Sequence, residues 1–260
     1  MVHSTSYTLR FAFMVCVVCS VFVAGSAVLL RERQEANKLL DRQSKVLAIA
    51  GITSADESLG RDEIAARFEE RILARLVNLE TGRYDASMDA NTYDQRRALS
   101  DEGQSRRAPS NSAKVARLPH LAQVFHVMAE DGAVEMLILP ISGKGLWSTL
   151  YGYLALDADA TTVRGITFYE HGETPGLGGE VDNPRWKALW NNRLAFDETR
   201  TPRIEVIKGT AGPPDADPHH VDGLSGATIT SRGVSHMLQL WLGPNGFGPY
   251  LEHHRKGGSI

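Results

Sequence analysis

Four hydroxyl side chains crowd the start of an apolar helical pattern near the end of the chain. In "VDGLSGATITSRGV", residues 221–234, they are Ser225, Thr228, Thr230 and Ser231. Free N–H groups at a helix start, together with the positive end of the helix dipole, form a ready site for a phosphate. A threonine hydroxyl at such a site can itself be esterified to the phosphate. The pattern predicts a phosphate site but does not select one of the four hydroxyls.

The same stretch is open to two other interpretations. Residues 223–227, GLSGA, resemble the G-x-S-x-G nucleophile elbow of serine hydrolases, with alanine in place of the last glycine. In that interpretation Ser225 is the nucleophile, and His171 or His220 is its base. Alternatively, Ser225 or Thr228 merely caps the helix, which contributes about 1 kcal/mol. A cap needs one hydroxyl rather than four, and a loop precedes the elbow where a buried strand is required.

Two glycine-rich segments precede this stretch. Residues 142–149, SGKGLWST, lack the glycine and hydroxyl spacing of a nucleotide-binding P-loop, so they predict a turn between strands. Such a turn can also bring backbone close to a planar ligand, with Trp147 as a stacking surface. Residues 171–180, HGETPGLGGE, follow a predicted strand and indicate a sharply turned loop, either a plain surface loop or a ligand loop.

No metal site and no catalytic residue is predicted. The adjacent His219 and His220 lie in a loop rich in proline and aspartate and are interpreted as solvated side chains. Both cysteines, Cys16 and Cys19, lie in an apolar N-terminal stretch, so the rest of the chain has no thiol for a disulfide or a nucleophile. The net charge of -3 argues against nucleic acid as a partner.

The elements that must position these residues are short strands and a few helices. Turn signals separate apolar segments that predict strands, namely AQVFHVMA and AVEMLILPI as a hairpin, LYGYLALD, VRGITFYE and RIEVIKG. Helices are predicted over 184–191 and from Thr228 to the GPNG stop. The predicted fold class is therefore α+β, with an antiparallel or mixed sheet.

The N-terminal part of the chain predicts a membrane anchor. Phe11 to Leu30 is an uncharged run of 20 residues, long enough to span a hydrocarbon core of about 30 Å. A cleaved signal peptide is the alternative, but its apolar region is shorter. We expect an uncleaved single transmembrane helix.

Between the anchor and the strands, the pattern predicts two amphipathic helices, over 39–49 and 64–77, with Ser58 or Asp62 as a possible N-cap of the second. Residues 85–112 are polar and are interpreted as a linker or long surface loop. The expected organisation has three parts: an anchor at 1–34, a helical segment and polar linker at 35–120, and the strand-rich domain at 121–260.

Three motifs together resemble a known family. Residues 222–228, DGLSGAT, resemble the sequence in which a flavin transferase attaches FMN through its phosphate to the final threonine. ETPGLG at 173–178 and GKGLWSTLYGYLAL at 143–156 are similar to the other flavin-contacting segments of the FMN-binding domain family. With the anchor, the chain resembles the family of C subunits of sodium-translocating NADH:quinone oxidoreductases. The G subunits of Rnf electron-transport complexes are the nearest related family.

The resemblance implies a role for each matching residue. Thr228 would carry covalent FMN and thus a phosphoryl group, and the residues shaping the phosphate turn would be Ser225, Gly226 and Ala227. The residues that would border the isoalloxazine are Glu173, Thr174, Leu177 and Gly178, with Trp147 and Ser148 on another side. Lys208 is a weaker candidate for offsetting phosphate or flavin charge. Asp222 would serve recognition by the transferase rather than catalysis.

The resemblance also implies an electron-transfer subunit, a redox carrier rather than the NADH-oxidising site, associated with other membrane subunits. Its soluble domain would lie in the periplasm of a bacterial inner membrane. The basic residues that follow the apolar run, including Arg31 and Arg33, favour a cytoplasmic location instead. We prefer the periplasm, because large domains translocate largely regardless of flanking charge.

Overall fold

The computed structural model describes residues 4–53, 57 and 59–258. It divides into two units, Met1–Gln43 and Ser44–Ile260. Helix α1 covers Thr5–Ile49 and accounts for the first unit. Among the described residues, it is the one helix long and apolar enough to cross a membrane. The expected helix over 39–49 is a continuation of it, because residues 31–49 contain good helix formers and neither glycine nor proline.

The second unit contains all the remaining elements. Its helices are α2 (Arg61–Arg71), α3 (Gln95–Ala98), α4 (Pro184–Ala188), α5 (Thr228–Leu242) and α6 (Gly248–Arg255). Its strands are β1 (Ile72–Asn78), β2 (Tyr84–Asp85), β3 (Ser105–Arg107), β4 (Arg117–Pro119), β5 (Leu121–Met128), β6 (Val134–Lys144), β7 (Thr149–Asp157), β8 (Val163–Glu170), β9 (Glu205–Val206) and β10 (His220–Val221). A 3-10 turn covers Gly178–Asp182.

A six-stranded antiparallel sheet organises this unit, in the order β2-β1-β5-β6-β7-β8. The predicted hairpin of β5 and β6 and the two strands that follow are confirmed, as is the α+β class. The predicted strand RIEVIKG is reduced to the two residues of β9, which pair in parallel with β10 outside the main sheet.

The helix expected over 64–77 is wrong in its second half. Helix α2 ends at Arg71, and the next seven residues form β1, whose every residue has a partner on β5. The spacing of apolar residues in ILARLVN fits a helix and a strand alike, and long-range pairing selects the strand. The N-cap of α2 is Gly60, so Asp62 lies inside the helix. Ser58 lies outside the described residues.

The polar segment 85–112 is more ordered than a linker. It contains α3 and β3, and the side chains of Ala98 and Ser105 are buried. The Tyr93 hydroxyl donates to the Leu121 carbonyl at 2.7 Å, which ties the segment to β5. The segment lies within the unit that begins at Ser44, and the expected boundaries after residues 34 and 120 stay a prediction.

Apolar residues on the two faces of the sheet form two separate cores, because successive side chains of a strand point to opposite faces. One core contains α5 and α6 and includes Met237 and Trp241. The other includes Val46 and Leu47 together with Phe68 of α2. The indole N–H of Trp241 donates to the Ser142 carbonyl at 2.7 Å, which fixes α5 against the end of β6.

Candidate functional site

The first turn of α5 separates the four hydroxyl residues into two classes. Thr228, the first residue of the helix, and Ser225 are exposed. Thr230 and Ser231 are buried, with relative exposures of 0% and 4%. The Ser231 hydroxyl accepts the N–H of Leu224 at 3.1 Å, and the Thr230 hydroxyl donates to a buried carboxylate. The structure leaves Ser225 and Thr228 at the surface.

The backbone before α5 is suited to a close approach by a ligand. No side chain caps the helix at Ala227, so the helix-cap interpretation is wrong. Gly226 has φ of +69°, and a Cβ there would lie 2.8 Å from Leu177 Cδ2. A side chain at position 226 would therefore be strained by its backbone conformation, and the exposed Leu177 side chain would have to move aside. The turn before Thr228 offers backbone N–H groups and little steric hindrance.

Exposed apolar side chains gather on the segments around this turn. Outside α1, five large hydrophobic side chains are exposed among the described residues, and four of them belong to this site: Leu146, Trp147, Leu177 and Ile229. Trp147 is the most open, at 66%. Exposed apolar surface of this kind marks a place for a ligand or a partner. Leu146 and Ile229 were not singled out from the sequence, where each looks like an ordinary apolar residue.

The carboxylate of Glu173 lies beneath this surface. It is 5% exposed and accepts the N–H groups of Leu146, Trp147 and Ser148 at 3.2, 2.9 and 3.1 Å. It also accepts the Thr230 hydroxyl at 2.6 Å. Burial acts to raise the pKa of Glu173, but the hydrogen bonds from Thr230 and the three N–H groups outweigh burial and hold the pKa below its ordinary value.

The remaining predicted loop residues divide between interior and surface. Gly178 is buried like Glu173, and their expected place at the border of the ring stays a prediction. Thr174 and Leu177 are exposed. The Ser148 hydroxyl accepts the N–H of Gly172 at 2.7 Å and so joins the 145–148 turn to the loop.

Lys208 is exposed on a turn that lies against the DGLSGAT segment. The N–H of Gly223 donates to the Gly209 carbonyl at 2.8 Å, and the N–H of Ala211 donates to Asp222 Oδ1 at 2.8 Å. The Asp222 carbonyl accepts the indole N–H of Trp186 at 2.9 Å. Asp222 is therefore part of the folded framework and holds the Lys208 turn in place.

The structure does not assemble a serine hydrolase site. His171 Nε2 pairs with Asp182 at 2.8 Å, and its Nδ1 accepts the N–H of Glu173 at 3.2 Å. His220 Nδ1 pairs with Asp217 at 2.6 Å. His220 Nε2 lies 3.5 Å from Glu205 Oε1. Both nitrogens of each ring therefore face other groups, and among the described residues neither ring is hydrogen-bonded to Ser225.

Comparison with known proteins shows the family to which this chain belongs. The FMN-binding domain family matches residues 145–243, from the 145–148 turn through α5. The C subunit of the Na(+)-translocating NADH-quinone reductase of Pseudomonas aeruginosa is 46% identical over 258 residues, covering 98% of both chains. The chain belongs to this family of C subunits. The corresponding protein of Yersinia pestis is 43% identical over 98% of this chain and 94% of its own.

Solved structures agree with this family membership. The crystal structure of Shewanella oneidensis NqrC has a TM-score of 0.78 at 34% identity, covering 85% of this chain and 99% of its own. The C subunit from Parabacteroides distasonis gives 0.64 at 30% identity, covering 85% and 96%. The resemblance to the family is confirmed, and with it the expectation of a subunit of an oxidoreductase complex that has other subunits.

The residues present fit FMN, the ligand of the matching domain family. An uncapped helix start suits a phosphate. Beside it, the exposed side chains of Trp147 and Leu177 offer apolar surface of the kind that a flavin ring covers.

Proposed function

We propose that this chain is the electron-carrying C subunit of a Na(+)-translocating NADH-quinone reductase and that it binds FMN covalently through the phosphate to Thr228. The observation that carries the proposal is the position of Thr228. It is an exposed threonine at the first residue of an uncapped helix, next to exposed apolar side chains. Thr230, the alternative threonine, is fully buried and donates its hydroxyl to Glu173.

Each part of the site has a distinct task in this function. Bound FMN supplies the electron-transfer chemistry, and the protein supplies position and electrostatics. The start of α5 binds the phosphate, with Ser225, Gly226 and Ala227 forming the turn around it. Trp147 and Leu177, with Ser148 and Thr174 beside them, form the ring surface. Lys208 contributes positive charge near the phosphate.

The attachment is a phosphoester bond between Thr228 Oγ1 and the flavin phosphorus. The donor would be a flavin phosphoanhydride: the bond from Thr228 Oγ1 to phosphorus would form as the anhydride bond breaks, the other phosphate-containing half of the donor would leave, and the hydroxyl proton would go to a base of the flavin transferase. That enzyme would recognise Asp222 to Thr228. A covalent link suits a site whose apolar surface is this open, because it prevents loss of the flavin to solvent.

Mass spectrometry of the denatured full-length chain tests the attachment. The chain is made with its transferase, digested, and the peptide containing residues 222–232 is sequenced. We expect one FMN mass on Thr228 in both the parent and the Ser225→Ala variant. A chain without a covalent flavin, or an adduct on Ser225, Thr230 or Ser231, would contradict the proposal.

The membrane placement belongs to the same proposal. The length and composition of α1 support a single-pass anchor in a bacterial inner membrane through Phe11–Leu30. The domain from Ser44 onward would lie in the periplasm. Protease added to intact spheroplasts tests this orientation: digestion of the domain is expected, and digestion only after the membrane is opened would contradict it.

An Rnf G subunit is the second candidate function that the sequence left open. The relatives described above are named as C subunits of the reductase and are 43–46% identical over nearly the whole chain, which favours the reductase. Co-purification of the chain with its partner subunits distinguishes the two complexes.

A further inference from the structure

Three consecutive N–H groups in the 145–148 turn point at a single carboxylate. Successive backbone N–H groups of this kind form a nest that binds anions. Here the protein fills the nest itself, because Glu173 accepts the N–H groups of Leu146, Trp147 and Ser148. The nest is thus closed to the phosphate of a ligand, which leaves the start of α5 as the anion site on this surface.

The same carboxylate also holds the turn to α5. Glu173 Oε2 accepts the Thr230 hydroxyl at 2.6 Å, and Thr230 is fully buried in the first turn of the helix. Gly178 lies against the pair, since a Cβ there would lie 2.6 Å from Thr230 Oγ1 and 2.7 Å from Glu173 Oε2. Three segments that are distant in sequence therefore meet at one ionised group.

We propose that Glu173 and Thr230 form a latch that sets the conformation of the 145–148 turn and thereby the surface on which the flavin ring rests. Both are positioning residues, since neither is exposed enough to lie against the ring. The effect on the turn stands by itself, and the effect on the ring rests on the proposed function above. The latch keeps the exposed Trp147 at a fixed place relative to Thr228.

The first experiment measures the turn in the full-length chain made without its transferase. Hydrogen exchange of the peptide 142–150 is compared between the parent, Glu173→Gln and Thr230→Val. We expect exchange of the amides at 146–148 to be about tenfold faster or more in both variants. Glu173→Gln removes the negative charge and one of the two acceptor oxygens, and Thr230→Val removes the hydrogen bond that holds the carboxylate to α5. Unchanged exchange in both variants would overturn the latch.

Two matched variants separate the latch from general damage. Thr230→Ser keeps the hydroxyl, and Glu180→Gln removes a carboxylate of the same loop that accepts the side-chain amide of Asn183 at 2.7 Å and lies outside the latch. Both are expected to retain the exchange of the parent. If Glu173→Gln does not fold, its backbone amides at 234–242 will lose their protection from hydrogen exchange. The comparison of Thr230→Val with Thr230→Ser then decides whether the latch exists. Equal exchange in that pair overturns the proposal.

The second experiment measures the flavin in chains made with the transferase. The absorption spectrum and midpoint potential of the bound flavin are expected to shift in Thr230→Val and to return to the parent values in Thr230→Ser. A loosened turn with an unchanged spectrum and potential would overturn the positioning of the ring. If the parent carries no flavin on Thr228, the proposed function fails, while the exchange experiment still decides whether the latch holds the turn.

Discussion

Two buried polar clusters in the second unit differ in the charge of their central residue, which is ionised in one and neutral in the other. In the first, Glu173 is ionised among N–H and O–H donors near the surface. In the second, His126 is fully buried, with its Nε2 2.9 Å from the hydroxyls of both Tyr84 and Tyr250. Its Nδ1 lies 3.2 Å from the Leu73 carbonyl, which can only accept, so Nδ1 carries the hydrogen and Nε2 accepts.

The difference shows that burial alone does not decide the charge of a group. Burial is the largest influence on both residues, and it disfavours the charged form of each. The donors around Glu173 reverse its effect, whereas around His126 burial prevails and lowers the pKa to about 4. We therefore expect changes at the first cluster to affect the site, and changes at the second to affect stability.

The largest effect is expected at Thr228, where one substitution should remove flavin attachment and leave the stability of the fold almost unchanged. Thr228→Val should abolish flavin that stays with the denatured polypeptide, because the ester oxygen is gone. The free energy of unfolding should change by less than about 0.5 kcal/mol, since position 228 is exposed. Flavin fluorescence in a denaturing gel and urea unfolding measure the two effects, with Ser225→Ala as control. Flavin retained by Thr228→Val would contradict the prediction.

The second prediction concerns the interior cluster and pH. Because folding lowers the pKa of His126 to about 4, its contribution to stability is complete above the unfolded pKa and is lost as pH falls through the folded pKa. The free energy of unfolding should fall by about 3 kcal/mol between pH 7 and pH 4 from this group. Urea unfolding across this range measures the loss.

His126→Gln should remove this part of the pH dependence, and His236→Gln, at a partly buried histidine of α5, should keep it. The same slope in the parent and in His126→Gln would show that another group is responsible.

A third, smaller effect is expected where the first cluster is packed most tightly. Gly178→Ala places a Cβ within 2.7 Å of both Thr230 and Glu173, and overpacking of this kind costs about 1–3 kcal/mol. Displacing Glu173 should loosen the turn that carries Trp147, because Glu173 accepts the Trp147 N–H, so iodide quenching of tryptophan fluorescence should rise. The quenched fluorescence comes from Trp147, which is 66% exposed, because the other three tryptophans are buried. Gly172→Ala is the control, since its Cβ would meet only ordinary contacts at 3.4 Å or more. Equal quenching in both variants would contradict the prediction.

The smallest effect is expected at Lys208. Its exposed charge contributes on the order of 0.2–1 kcal/mol, so Lys208→Gln should slow flavin attachment by about fivefold at most. The difference should vanish at high salt, where such charges are screened. Attachment rates at two salt concentrations measure it, with Arg185→Gln as control. A salt-independent defect would assign Lys208 a different role.

The sequence predicts the elements whose signals are local. The hairpin of β5 and β6 has alternating apolar residues around a turn, and α5 has a clear apolar face with a stop signal. Strand β1 could not be predicted, because its partner lies about 50 residues away on β5 and its apolar spacing also fits a helix. Likewise, the segment 85–112 is polar because its side chains satisfy backbone groups, as Asp94 does for the first turn of α3.

The site was predictable as a set of motifs but not as a geometry. Free N–H groups before an apolar helix indicate a phosphate site, yet the choice between Thr228 and Thr230 depends on how α5 is rotated against the 171–180 loop. The sequence position of Glu173 likewise does not tell which way its carboxylate points, so its hydrogen bonds to the 145–148 turn could not be predicted. The polar pairing of Thr230 with Glu173, 57 residues apart, has no signal in either motif.

The continuity of α1 limits how the chain can be shortened to a soluble form. Val46 and Leu47, with exposures of 1% and 0%, fill the second core although they belong to the same helix as the apolar N-terminal run. Deleting the whole helix would remove core residues and leave a cavity over the sheet. A truncation that starts near Ser44 removes the membrane-length segment and keeps the core intact.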